Sequence, residues 1–252
     1  MELIDSHCHL DFPEFSNVDQ LWQQCQEHHI SQLIIPATEP RQWPKIQALC
    51  NKFDGCYWAA GLHPWWVDEE NFHTLKKELE QALQDPNCIA IGECGLDGSK
   101  GITPLHIEAL QWQLQQARER NLPVILHAHK AQQELLPLLK QQQPLCGVVH
   151  GFSGSIELAQ NYIDQGMLIG IGGSISYPRA QKTRRMASKL QLSKIVLETD
   201  APSMPLFGKQ GQSNSPLHLL EIAQCLADLR QQDIHHIAEQ SSANSRALFG
   251  LK

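Results

Sequence analysis

Residues 105–127 read LHIEALQWQLQQARERNLPVILH. Two periods meet in this stretch. From Leu105 to Arg120, the apolar residues Leu105, Ala109, Trp112, Leu114 and Ala117 recur at near-helical spacing, so one face can be buried. From Pro123 to Leu126 the chain is continuously apolar, as a parallel strand covered on both faces should be. The strand then runs into His127. A helix, a short turn, an apolar strand and a polar residue at its C-terminal end form one unit, and the rest of the chain repeats it.

Similar β-rich runs occur at Met1–Cys8, Gln32–Pro36, Cys56–Leu62, Cys88–Gly92, Gly147–Val149, Met167–Ile171 and Lys194–Leu197. Amphipathic segments lie between them. Ser155–Gln165 begins on a capping serine and is followed by Gly166, a natural helix stop. Pro216–Arg230 opens on a proline, which suits a helix start. Strands alternating with helices imply a parallel sheet with right-handed crossovers. Eight such units in 252 residues predict an α/β chain folded as a (β/α)8 TIM barrel, with an open doubly wound sheet as the rival. No repeat, linker or long charge run divides the chain, so residues 1–252 are expected to form one domain. The segment Ala201–Ser215 reads as a loop after the eighth strand.

Composition narrows the function. Apolar residues make up 42% and charged residues 19%, an ordinary globular balance. The net charge of −7 argues against gripping nucleic acid with the whole surface, which needs many cationic contacts to phosphate. A local site is still compatible with it. The eight cysteines contain no C-x-x-C pair, and no secretory signal opens the chain. Free thiols in a cytoplasmic enzyme are therefore expected. No apolar run reaches the roughly 20 residues of a membrane span.

The polar residues fall where a barrel puts its chemistry. Asp5-Ser6-His7-Cys8-His9 follows the first run, and His63, Glu93, His127, His150 and Asp200 follow later ones. In a barrel, the C-terminal strand ends converge on one mouth. Alternate residues of a strand share a face, so His7 and His9 can aim at one ion. Neutral imidazole suits borderline divalent metals. The expected metal ligands are His7, His9, Glu93, His127, His150 and Asp200. Glu93 has two oxygens and can bridge two cations, and Gly92 and Gly95 beside it suit a close backbone approach. Asp200 can ligate a metal and accept a proton from water, so Glu93 and Asp200 are the catalytic candidates.

Other residues carry weaker signals. His63 fits either contact with substrate phosphate or a structural role. Glu198 is read as facing away from the site or supporting it. His28, His29, His73, His235 and His236 lie in polar helical contexts and are expected at the surface. Arg179, Lys182, Arg184 and Arg185 follow the seventh strand, where barrels often hold phosphate. Trp65 and Trp66 follow His63 on a mouth loop, where stacking on a base and packing under the loop are both open.

Six ordered motifs resemble the TatD family of metal-dependent deoxyribonucleases. They are Asp5-Ser6-His7-Cys8-His9-Leu10-Asp11, Gly61-Leu62-His63-Pro64, Ile91-Gly92-Glu93-Cys94-Gly95-Leu96-Asp97, Pro123–His127, His150-Gly151-Phe152-Ser153-Gly154 and Leu197-Glu198-Thr199-Asp200-Ala201-Pro202. Gly172–Arg179 and Gly211–Asn214 are similar to its YjjV-like branch. The resemblance implies a TIM barrel with one or two divalent ions. It assigns His7, His9 and Asp200 to a first metal, His127 and His150 to a second, and Glu93 to the bridge. One departure stands out. Where the family usually has Arg shortly after the strand-five histidine, this chain has His127-Ala128-His129-Lys130. If that Arg supports phosphate, Lys130 or His129 must replace it, and lysine is a point charge without the bidentate fork.

The function expected from these residues and this resemblance is hydrolysis of DNA phosphodiesters, at a single strand or an end, by water activated by metal. Zn, Mn, Mg, Co and Ni all remain open as the ion, with histidine ligands favouring the transition metals. Besides the metal ligands, His63, Lys130 and Arg179 are the substrate-binding candidates. The rivals are a metal-dependent hydrolase of small phosphoesters, lactones or amides, and a barrel that binds without catalysis.

Overall fold

The computed structural model describes residues 1–252. Its eight strands are β1 (Leu3–Asp5), β2 (Ile30–Pro36), β3 (Cys56–Ala60), β4 (Cys88–Asp97), β5 (Val124–His129), β6 (Gly147–Val149), β7 (Met167–Ile171) and β8 (Ile195–Leu197). All neighbouring pairs are parallel and follow chain order from β1 to β8. Beyond the ends of β1 and β8 the sheet closes on itself. Ser6 N donates to Leu197 O (3.0 Å), Asp200 N to His7 O (2.8 Å) and His9 N to Ala201 O (2.8 Å). These bonds complete the barrel and exclude the open sheet.

Nine helices cover the outside: α1 (Val18–Glu27), α2 (Trp43–Lys52), α3 (Glu69–Ala82), α4 (Pro104–Arg120), α5 (Gln132–Gln141), α6 (Ile156–Ile163), α7 (Gln181–Lys189), α8 (Leu219–Arg230) and α9 (Ile234–Phe249). The opening stretch folds as expected. Thr103 caps α4 by accepting from His106 N, and Asn121 ends the helix in the left-handed conformation at φ +54°. Pro216 opens a single 3-10 turn, Pro216–His218, before α8 begins. No helix is long and apolar enough to cross a membrane. All eight cysteines are free, and six are buried.

Two differences from the sequence reading concern the mouth. β1 stops at Asp5, and the next residues bond in turn to the end of β8, to β2 and to the segment after β8. β4 and β5 run longer than their apolar cores. Their pairing continues through Gly95↔His127 and Asp97↔His129, after a register shift between Ile91 and Cys94. That shift is a bulge, a common device for re-aiming a side chain beside a site.

The barrel interior has two layers. Ile34, Ala59, Ala90, Ile125, Val148 and Val196 form an apolar floor, sealed by Phe249 at the end of α9. Two residues further along the same strand directions stand His127, His150 and Glu198. The two-residue period of a strand sends both layers inward.

Candidate metal centre

The β1–β8 seam fixes the first half of the site. Asp5 is fully buried, and its Oδ1 accepts from Thr199 N (3.0 Å) and His7 N (3.2 Å). Its Oδ2 accepts from Thr199 Oγ1 (2.6 Å). His7 and Thr199, the neighbour of Asp200, are thus tied to one carboxyl at the junction of two strands. Asp200 itself holds a φ of +55°, rare for a residue with a Cβ and a frequent mark of a functional position.

The side chains converge from there. His7 Nε2 lies 3.2 Å from His9 Nε2, 3.3 Å from Glu93 Oε2 and 3.5 Å from Asp200 Oδ1. His9 Nε2 lies 3.5 Å from each of the same two oxygens. A second set gathers at the other oxygen of Glu93. Oε1 lies 2.7 Å from His150 Nε2, 3.1 Å from His127 Nδ1 and 3.5 Å from His63 Nε2. His127 Nδ1 and His150 Nε2 are 3.2 Å apart. The rings of His7 and His150 stack at 3.9 Å, so the two sets adjoin.

Glu93 reaches this position because β4 and β5 come unusually close. A Cβ on Gly95, whose φ is +145°, would stand 2.0 Å from His127 O. Only glycine fits there. The glycines flanking Glu93 do what the sequence suggested.

The donor set fits divalent cations. A tetrahedral shell with bonds of about 2.0–2.1 Å has edges of about 3.4 Å. The first set presents donor separations of 3.2–3.5 Å. The hydrogen bonds also select the tautomers a ligand needs. His9 Nδ1 faces Pro36 O at 3.1 Å and therefore carries the proton, leaving Nε2 free. His127 Nε2 faces Asp97 Oδ2 at 3.1 Å, leaving Nδ1 free. A carboxylate behind a ligating histidine is the usual outer support of a metal site.

Charge points the same way. Burial would raise the Glu93 carboxyl, but the surrounding His150, His63 and His7 hold it well below its usual range. Burial likewise opposes ionisation of Asp200, and His9, His7 and His150 outweigh it. Burial favours neutral His150, yet the Glu93 carboxylate pushes it up to about 10. His7, in contrast, is lowered to about 4, chiefly by burial. Without an ion, protons balance these two carboxylates. A divalent cation would replace them, so binding must release protons.

His63 differs from the other histidines. Its Nδ1 accepts from Trp65 N at 3.1 Å, which places its proton on Nε2, facing Glu93 and the pocket. Burial lowers it to about 3, so the ring is neutral. In that tautomer Nε2–H is a hydrogen-bond donor directed at the pocket, although His63, Glu93 and His127 also stand close enough to share an ion.

A pocket of about 200 Å³ opens over the site, lined by His9, His63, Glu93, His127, His150 and Asp200, with Phe12, Thr38, Trp65, Trp66 and Ser203 around them. All six expected ligands and His63 are brought together. Lys130 and Arg179 are exposed and do not line this pocket. Lys130 stands in a left-handed turn at φ +49°, and Arg179 stacks on Tyr177 with its guanidinium 5.4 Å from the ring centre. Arg184 is committed elsewhere, donating to Ile175 O at 2.5 Å. The five surface histidines are exposed as expected.

Two supporting carboxyls, Asp5 and Asp97, were not singled out in advance, and a third, Glu198, was read as facing away from the site or supporting it. Asp5 and Asp97 stand at strand ends inside recognised motifs, and a carboxylate flanking a histidine there was the available signal. Glu198 points inward, under the site. Its Oε1 accepts from Gly151 N beside His150, and burial pushes its carboxyl up to about 8.

The TatD related DNase family profile matches residues 4–250. This chain is a member of the TatD family. It is 40% identical to the uncharacterized metal-dependent hydrolase YjjV of Escherichia coli K12, over 98% of each chain. The crystal structure of that TatD homologue superimposes with a TM-score of 0.91, covering 99% of this chain and 98% of that one. Another TatD-family relative, named a 3'-5' ssDNA/RNA exonuclease in the same bacterium, is 33% identical over 88% of each chain.

Proposed function

We propose that the protein is a metal-dependent phosphodiesterase acting on single-stranded nucleic acid, with DNA ends as the substrate to test first. One observation carries the reading: each oxygen of Glu93 faces its own cluster of donors, Oε2 toward His7 and His9 and Oε1 toward His127 and His150. That arrangement suits divalent ions: His7, His9 and Asp200 would hold a first and His127 and His150 a second, with one Glu93 oxygen facing each set. When bound, such ions polarise a phosphoryl oxygen and make water more acidic.

The protein's own groups supply the rest. Asp200 is held ionised among histidines and serves as proton acceptor for the attacking water. His63 Nε2–H donates to a phosphate oxygen of the substrate. Asp97 fixes the tautomer of His127. The 200 Å³ pocket is of the size of a phosphoryl group with its neighbouring atoms, which supports a reading in which a strand end enters it. The same small volume supports a second reading, a hydrolase of small phosphoesters.

The test is cleavage of single-stranded and duplex DNA by protein reconstituted with Mn, Zn, Co, Ni or Mg, beside a small-phosphoester panel. Shortened single strands support the nuclease. Turnover of small esters alone supports the second reading. No turnover of either, with metal bound, leaves a non-catalytic barrel.

A further inference from the structure

We propose that Trp65, with Lys100 beside it, is a stacking platform for a nucleobase of a single strand whose phosphodiester occupies the adjoining pocket. This inference rests on the phosphodiesterase reading above.

Trp65 and Trp66 belong to the rim of the pocket. They remain 51% and 41% exposed, among very few large hydrophobic side chains left in solvent. A tryptophan packed under its loop would be covered, so packing does not account for them.

Trp65 is nevertheless not loose. Its Nε1–H donates to Asp97 Oδ2 at 2.7 Å, and Asp97 Oδ1 accepts from Ser99 N at 2.8 Å. The His63 ring meets it edge-on at 89°, with centres 5.3 Å apart. The indole is therefore oriented before any ligand arrives, which lowers the entropy cost of binding. Lys100 Nζ sits 4.1 Å from the ring centre. A planar base can take the place of that cation on the indole and leave the ammonium for a neighbouring phosphate. An aromatic plane with an adjacent cation is the chemistry that binds single strands without reading sequence.

Trp66 is the weaker partner. Arg41 lies 5.5 Å from its ring centre, but that guanidinium is already held by Glu39 Oε1 at 2.6 Å. Asp68 and Glu70 line the groove beyond it, which repels a backbone. The strand is thus expected to depend on Trp65 first.

The experiment measures binding of a fluorescent oligodeoxythymidine, with and without one abasic position scanned along it, to metal-loaded protein by anisotropy. Cleavage is followed in parallel. In the wild type, one abasic position should weaken binding about tenfold, or ~1.4 kcal/mol. Trp65→Ala should weaken the intact strand by a similar factor and abolish that discrimination. Trp65→Phe keeps a ring but loses the bond to Asp97, and should retain most of it. Discrimination that persists in Trp65→Ala overturns the platform. So does Trp65→Phe behaving like Trp65→Ala, because the indole would then act through Asp97. A wild type that discriminates but does not cleave overturns the nuclease reading and leaves the platform standing. A wild type that does not bind the strand overturns both.

Discussion

The floor and the mouth of this barrel are built on the same strands, two residues apart. Ile125 and His127 share β5, and Val148 and His150 lie along one strand direction. Both layers are largely buried, yet one is dry and apolar and the other carries a cluster of ionisable groups. The floor gains from removing hydrocarbon from water. The mouth loses by burying charge, and the loss is offset only where opposite charges or a cation meet it. The difference teaches that stability and chemistry can be separated by a single strand period. Substitutions should show that separation.

The largest effect is expected from His7→Ala/His9→Ala. Losing an outer partner of a ligand costs roughly 10–100-fold, and removing two ligands should exceed that in metal retention and cleavage. Metal content by elemental analysis and turnover should fall together, while the far-ultraviolet dichroism of the barrel persists. A double variant that keeps its metal and its rate would break the comparison.

The opposite pattern is expected at the floor. Phe249 is 4% exposed and closes the apolar layer. Phe249→Ala should cost about 3–5 kcal/mol of stability. Denaturant unfolding should show it, while kcat of the folded fraction stays near wild type. Equal loss of kcat would mean that the plug also shapes the mouth.

Asp97→Asn tests the support of the mouth. Asn can still meet Trp65 Nε1–H, but it is a neutral and weaker acceptor for His127 Nε2–H. Metal affinity at the His127 side should drop about 10–100-fold in chelator competition, with stability little changed. Unchanged affinity would remove Asp97 from the second set.

Much of this was legible in the sequence because it depends on local periods. The apolar runs marked all eight strands, and polar residues at their ends marked His7, His9, His127, His150, Glu93 and Asp200. Glu198 was less legible, since its direction depends on where β8 stands in the closed barrel. Asp97 was hidden for a similar reason. β4 extends past its apolar core only because a bulge lets it keep pairing with β5. Lys130 and Arg179 show the converse limit. Charge and position in the chain pointed to the mouth, but turn geometry and stacking on Tyr177 keep them out of the pocket.

The smallest predicted effect lies at the border between the two layers. Gly170 on β7 faces Glu198, and a Cβ there would stand 2.4 Å from Glu198 Oε2. Its backbone is not in the left-handed region, so the cost of Gly170→Ala comes from contact alone. The added methyl should push the carboxyl, at about 1–3 kcal/mol, in the range of other overpacked cores. In a Glu198→Ala background that carboxyl contact is gone, and the cost should fall. The two substitutions should therefore couple, as residues in contact do. Because Glu198 holds Gly151 N beside His150, Gly170→Ala alone should also weaken metal retention. Additive stabilities with unchanged metal binding would mean that Glu198 belongs with the floor. Coupling in both readouts places it with the mouth, as the carboxyl on which the second histidine set rests.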